Sequence, residues 1–121
     1  MKVYLSLPIS GYDEKERWKY AARMSAVLAM MHEDWHVVNP FHVRDRLQRK
    51  KYDETGVITL PSYDEMMKAD IEELRKCDLA LFCPGWYASE GCREEMRECW
   101  WHGIGVAFLS ADGKVYGEVL A

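Results

Sequence analysis

Residues 69–95 read ADIEELRKCDLALFCPGWYASEGCREE, and the spacing of their apolar residues decides the fold. The stretch closes one helix, crosses a short strand and opens a second helix. The helix before it, Ser62 to Asp78, has the apolar stripe Tyr63, Met66, Met67, Ile71 and Leu74, at steps of three and four. Leu79 to Cys83 is a continuous apolar run of strand length, ended by the Pro84–Ala88 loop. Ser89 to Gly103 returns to helical spacing with Cys92, Met96, Cys99 and Trp100. Two acids interrupt these stripes. Asp70 lies three residues after Met67 and four before Leu74, and Glu95 three after Cys92 and four before Cys99. A carboxylate on a core-facing position is costly unless it is paired, protonated or lining a cavity. Two of them, on helices flanking one strand, suggest a lined pocket with acid-base or nucleophilic chemistry.

The pattern continues on both sides. Lys2 to Leu7 suits a buried strand, and Pro8 to Tyr12 a loop. Asp13 to about His32 is helical, with Trp18, Ala21, Ala22, Ser25, Leu28 and Ala29 as its spaced positions. Asp13 is the N-cap candidate, with Glu16 three residues later. Trp35 to Val38 is a second strand, stopped by Asn39-Pro40. Phe41 to Pro61 reads as polar and irregular, with a short helix near Val43 to Lys50, and connections of that length often form lids or binding loops. Gly105 to Leu109 is a further strand, Ala111-Asp112-Gly113 a turn, and Val115 to Val119 a last extended run. Alternating strands and helices imply an α/β fold with a parallel sheet covered on both faces, and right-handed crossovers. The expectation is a single domain over residues 1–121, a flavodoxin-like, Rossmann-like three-layer sandwich of four or five strands in order 2-1-3-4 or 2-1-3-4-5. Ligands in such sheets bind beyond the carboxyl ends of the strands, here Leu7 to Gly11, Asn39 to His42 and Cys83 to Gly91.

Composition narrows the function. A formal charge of -4 argues against nucleic-acid binding. No apolar run reaches the roughly 18 residues of a membrane span. The opening MKVYLSLPISG is broken by Ser6, Pro8 and Ser10, which fits a buried strand better than a signal peptide. Cys77, Cys83, Cys92 and Cys99 form no CxxC pair, and the four histidines form no ligand motif, so a cytoplasmic protein with reduced, mostly buried thiols and no metal is expected. Trp100 and Trp101 are adjacent and must face different ways, one toward the core and the other toward a subunit partner or the tail. Together with many Met and aromatic residues on helices, this suggests a homo-oligomer, at least a dimer.

Several residues can be read as chemical or as structural. Ser89 is a good N-cap, and the free N–H groups of its helix start could hold a phosphate; an ordinary capped helix, with Glu95 bonded to Arg or backbone, is the plain alternative. Gly91 permits close approach of a ligand to the backbone. Asp70 could pair with Arg75 or Lys76 instead of facing a pocket. Asp78 suits a structural turn, while Glu72 and Glu73 fall off the stripe and should be solvated. Ser6, Ser10 and Gly11 offer hydroxyls and backbone donors after the first strand, or a simple turn after Pro8. Arg17 could reach an anion or remain solvated. Arg44, Arg46, Arg49, Lys50 and Lys51 could steer a phosphorylated substrate or form a solvated face. Trp86 and Tyr87 could stack a nucleobase or close the core.

The stretches VYLSLPISG, VVNP, ADIEELRKCDLALF and PGWYASEGCREE, spread over residues 3–109, resemble the nucleoside 2-deoxyribosyltransferase superfamily. The chain looks most like a small branch with a Pro-Gly-Trp-x-x-Ser-x-Gly pattern, and is similar to the 2'-deoxynucleoside 5'-monophosphate N-glycosidases. The resemblance implies that Glu95 is the nucleophile on the anomeric carbon and that Asp70 orients the sugar or assists proton transfer. It implies that Ser89 binds a phosphate and that Pro8, Ile9, Ser10 and Gly11 bind sugar and phosphate. Where the hydrolases carry Arg and a second Gly in the first loop, this chain has Ser10 and Tyr12, and Arg17 stands close by as a replacement cation. The implied reaction is cleavage of the N-glycosidic bond of a nucleoside or its 5'-monophosphate, through an oxocarbenium-like transition state, with the sugar passed to water or another base. The substrate-binding set is then Pro8, Ile9, Ser10, Gly11, Arg17, Trp86, Ser89 and Gly91. No cofactor is required, and the family habit of completing the pocket from a neighbouring subunit adds to the expectation of an oligomer. The alternative is a nucleotide-binding or sensing module of the same fold without catalysis.

Overall fold

A computed structural model describes residues 1–119. Among the described residues, five strands, four α-helices and one short 3-10 turn form around one sheet. In chain order they are β1 (Lys2–Ser6), α1 (Glu14–Met31), β2 (His36–Val38), α2 (Pro40–Thr55), α3 (Tyr63–Leu74) and β3 (Leu79–Phe82). A short 3-10 turn at Trp86–Ala88 leads to α4 (Glu90–His102), β4 (Gly105–Leu109) and β5 (Val115–Val119). The strand order is β2-β1-β3-β4-β5, the five-stranded form of the expected order. The first four strands pair in parallel, while β5, made from the tail as expected, joins β4 antiparallel. The Ser110–Lys114 turn is too short for the crossover a parallel partner needs, so the tail folds straight back.

The central strands are buried on both faces. Val3, Leu5, Leu79 and Leu81 pack with Ala21, Met24 and Leu28 of α1. Tyr4, Ala80 and Phe82 point the other way, toward Leu74, Cys92 and Cys99 of the layer built by α2, α3 and α4. Period-two alternation along β1 therefore puts Tyr4 and Ser6 on the α3–α4 face. In α1 the inward positions are Ala21, Met24 and Leu28, whereas Trp18 and Ala29, expected among them, are exposed. Asp13 caps α1, its carboxylate accepting the Glu16 N–H at 3.2 Å.

The largest departure from expectation is the segment after β2. The short helix expected near Val43 to Lys50 is present but is part of a longer one: α2 runs for 16 residues, so most of the segment is not irregular. Asn39-Pro40 both stops the strand and starts the helix. The Asn39 side chain accepts the Phe41 N–H at 2.9 Å, and Pro40 occupies the first turn, where no N–H is needed. Phe41 and Val43 are buried, and Gly56 closes the helix in a left-handed conformation. Only 57–62 remains as a connector.

Glu73 is also not solvated as expected. It lies at the end of α3 against the start of β1, with Lys2 at 3.0 Å, Arg46 at 3.6 Å and Lys76 at 3.7 Å. Asp78 has the expected turn role, accepting the Lys2 N–H at 2.8 Å. Gly85, at φ 85°, brings the loop after β3 against the loop after β1; a Cβ there would meet the Tyr12 hydroxyl at 3.0 Å.

Because buried Asn39 caps the helix that replaces the expected loop, Asn39→Ala should lower stability by about 1 kcal/mol. Urea unfolding measures this directly, and an unchanged midpoint would remove the cap from the account of why α2 forms.

Candidate functional site

The strand order reverses between β1 and β3, and a cavity of about 160 Å³ opens at the carboxyl ends of the strands there. Asp70 and Glu95 both line it. Around them stand Ile9 and Ser10 from the loop after β1, Ser89 and Gly91 at the start of α4, and Met66 and Met67 from α3. The two acids that broke the apolar stripes thus share one space, although they come from separate helices.

Glu95 is 5% exposed. Its Oε1 accepts the Ser6 hydroxyl at 3.0 Å, while its Oε2 is buried with no hydrogen-bond partner. Burial pushes its carboxyl up to about 8, and the Asp70 charge adds to the rise. The Tyr4 and Ser6 hydroxyls pull the other way. Of the two, Ser6 makes the hydrogen bond, at 3.0 Å. Asp70 is half-buried, and desolvation lifts its carboxyl to about 7 against the opposing pull of Arg44. It does not pair with Arg75 or Lys76, because those cations are taken by Glu98 and Glu73. An acid at an apolar-stripe position, with its nearby cations engaged elsewhere, is left to the cavity. Burial and a like-charged neighbour therefore both favour keeping protons on this pair at neutral pH.

The other expected residues divide. Ser89 caps α4, its hydroxyl accepting the Cys92 N–H at 3.3 Å, and it still faces the cavity. A Cβ on Gly91 would meet Met67 Sδ at 3.5 Å, ordinary contact, so the glycine is not sterically required there. Pro8 is fully buried and Gly11 is a positive-φ turn residue; neither lines the cavity. Arg17 is not at the cavity either, and its guanidinium stacks on the Tyr12 ring at 3.8 Å. Trp86 is a correction of another kind. It closes the core edge-on to Phe82 at 5.4 Å and packs on Phe108 at 5.7 Å, on the β4 side, so it is not placed to stack a ligand in this cavity. The aromatic ring that does line the cavity is Tyr63.

The sequence reading named Ser6 and Arg44 but not their places at the cavity, and did not name Tyr4, Pro40 or Leu47 for it. Ser6 and Tyr4 reach Glu95 from β1, a relation that strand alternation could have suggested once Glu95 was set on the sheet side. Pro40, Val43, Arg44 and Leu47 form a wall from α2, whose first turn the sequence reading left outside the short helix it expected near Val43 to Lys50. Of the basic run, Arg44 alone reaches the cavity lining; its Nη1 donates to Glu14 at 2.8 Å. Cys92 also lines the space, but burial raises its thiol to about 11, so it is protonated and a poor nucleophile at neutral pH. Among the described residues no group of three or more His, Cys, Asp or Glu could hold a metal ion.

The acid pair makes stability depend on pH. In the unfolded chain Glu and Asp ionise near 4.5 and 3.8, whereas in the fold they hold protons to about 8 and about 7. Between those limits the folded state binds more protons, so stability falls as pH rises and the loss is complete above about pH 8. Glu65 and Glu73, shifted downward, act with the opposite sign at lower pH and cancel when two variants are compared. The melting temperature of wild type relative to Glu95→Gln should therefore drop steadily between about pH 4.5 and 8. A difference that is flat in pH would mean that Glu95 is ionised at no cost.

Neither the curated proteins nor the solved structures contain a match to this chain. One family model does match, over residues 1–108, the span that holds β1 through most of β4 and every cavity residue named above. The chain belongs to that family, described as a domain of unknown function (DUF4406).

Proposed function

We propose that this protein cleaves the N-glycosidic bond of a nucleoside or nucleoside 5'-monophosphate, with Glu95 as nucleophile and Asp70 as its proton-handling or orienting partner. The observation that carries the reading is the buried Glu95 carboxylate, with one oxygen held by Ser6 and the other unpartnered, in the same cavity as Asp70. A free oxygen in a low-dielectric site is poised to meet an electrophile or a donor. The apolar walls, Val43, Leu47, Met66 and Met67, suit a flat base, and Tyr63 offers a ring to stack it. Ser89 and the α4 start suit a sugar hydroxyl or a phosphate oxygen, with Arg44 as the lining cation.

The chemistry needs one ionised carboxylate and one available proton. Between about pH 7 and 8 the pair holds roughly one proton. As the base departs, positive charge develops at C1'. That charge favours the ionised form of Glu95, which bonds to C1', while the proton goes by way of Asp70 to the leaving base. Water or a second base then attacks C1', releasing the Glu95 carboxylate. The partner in this reading is a small nucleoside or nucleotide, and no cofactor takes part. Four free, buried cysteines fit a cytoplasmic setting, and among the described residues no helix is long and apolar enough to cross a membrane.

The test is release of free base from a panel of nucleosides and 5'-monophosphates, with and without an acceptor base. Glu95→Gln should lower turnover by roughly a thousandfold or more while retaining ligand binding, and Asp70→Asn by roughly a hundredfold. The dependence of kcat/KM on pH should be bell-shaped, with limbs near 7 and 8, and Asp70→Asn should erase one limb. Near-normal turnover in Glu95→Gln rejects the mechanism. Tight ligand binding without base release from any substrate by wild type would instead identify a sensing module.

A further inference from the structure

Trp100 and Trp101, the last full turn of α4, are 79% and 83% exposed. The expectation that one of them would enter the core does not hold. The inward positions of α4 are taken by Cys92, Glu95 and Cys99, which leaves Trp101 on the opposite side and Trp100 on the flank of the helix. Beside Trp100 lies an apolar groove of about 390 Å³, lined by Trp86, Met96, Ile104, Val106 and Phe108. It is distinct from the acid cavity, sharing no lining residue with it. Next to it Tyr116 is 57% exposed and packs on Phe108 at 6.1 Å.

The area is large enough to decide what it is for. A buried aromatic side chain covers about 150–250 Å². Two tryptophans exposed by about four-fifths therefore present roughly 400 Å², and the groove walls and Tyr116 add to this. A standard interface takes about 800 Å² from each partner, about 65% of it apolar in a homodimer. The patch thus supplies most of the apolar area that one side of a dimer requires, and it exceeds what scattered surface residues explain.

The patch is also complementary to itself. It carries projecting rings and, directly beside them, a groove of a size to receive one. A twofold axis needs both on one surface, so that each copy inserts into the other. Arg93 and Arg97 precede the tryptophans on the same outward face of α4, since steps of three and four residues return to one side of a helix. Antiparallel packing of two such helices sets the arginines of one copy over the tryptophans of the other, a favourable cation–π arrangement.

We infer that the outward face of α4 and the groove between α4 and β4 form a twofold interface with a second copy of this chain. Trp101 of each copy is the projecting anchor, and Trp100 is the rim of the receiving groove. The assignment does not depend on what the acid cavity does, and α4 serves both through opposite faces.

Sedimentation equilibrium on the intact protein tests it. Wild type should be a dimer at about 20 µM. Trp100→Ala with Trp101→Ala should weaken association by at least about a hundredfold, and Arg93→Glu with Arg97→Glu by at least about tenfold. Both pairs are solvent-facing, so an unchanged far-UV circular dichroism spectrum would show that the variants fold. Wild type that remains monomeric to roughly 100 µM overturns the proposal. So does a tryptophan or arginine variant that dimerises as tightly as wild type, and so does open-ended growth beyond a dimer, which a twofold contact cannot produce.

Discussion

Glu95 is buried against β1, and the hydrogen bond from Ser6 to its carboxylate ties α4 to the central strand. A group of this kind would ordinarily be replaced by an apolar residue, because desolvating a carboxyl costs more than one neutral hydrogen bond returns. The fold meets the cost in two ways. It lets the carboxyl hold its proton, and it leaves one side of the group open to a cavity instead of sealing it in core. Asp70 then deepens the constraint. A second acid at the same cavity makes double ionisation unfavourable, so the protonation state of each depends on the other.

The surrounding elements follow from holding that pair. Tyr4 and Ser6 stand on one face of β1 because strand side chains alternate, and α4 is set over them by the Ser89 cap at its start and by Cys92 and Cys99 in the core. The α3 helix brings Asp70 from the other side, its start fixed by a reciprocal Ser62–Glu65 capping box. Arg75 of α3 bonds Glu98 of α4, which links the two acid-bearing helices on the solvent side and removes a cation that could otherwise neutralise Asp70.

Most of this was legible because it rests on local pattern. The stripes of α3 and α4, the apolar run of β3 and the turn signals between them are sufficient for the alternation of helix and strand and for the unusual placement of Asp70 and Glu95. What could not be read was where non-local packing decided the matter. Asn39-Pro40 is equally a strand stop and a helix start; α2 is stabilised by the burial of Phe41 and Val43 against elements far away in sequence. With only a short helix expected near Val43 to Lys50, the packing of α2 that makes Arg44 and Leu47 cavity wall was not read. Trp86, in the loop after β3, and Arg17, near the start of α1, were assigned by their proximity to a strand end, but a side chain there has more than one side to choose from. Trp86 found an apolar slot beside Phe82 and Phe108, and Arg17 found the Tyr12 ring.

The α4 helix shows why adjacency in sequence is a weak guide to role. Its inward face carries a titratable group whose properties come from exclusion of water, and its outward face carries two tryptophans whose energy lies in water they have not yet excluded. The helix is only 13 residues long, and its cap, Gly103 at φ 64°, turns the chain directly into β4. A rigid element of this length couples its two faces by geometry. A contact that fixes the outward face also fixes the angle at which Glu95 meets Ser6 and Asp70. In the proposed reaction the Glu95 carboxylate bonds to a single carbon atom, and for such a step precision is worth more than affinity. The twofold interface proposed on the far side of the same helix acts in this sense, because it fixes the helix without placing any group in the cavity itself.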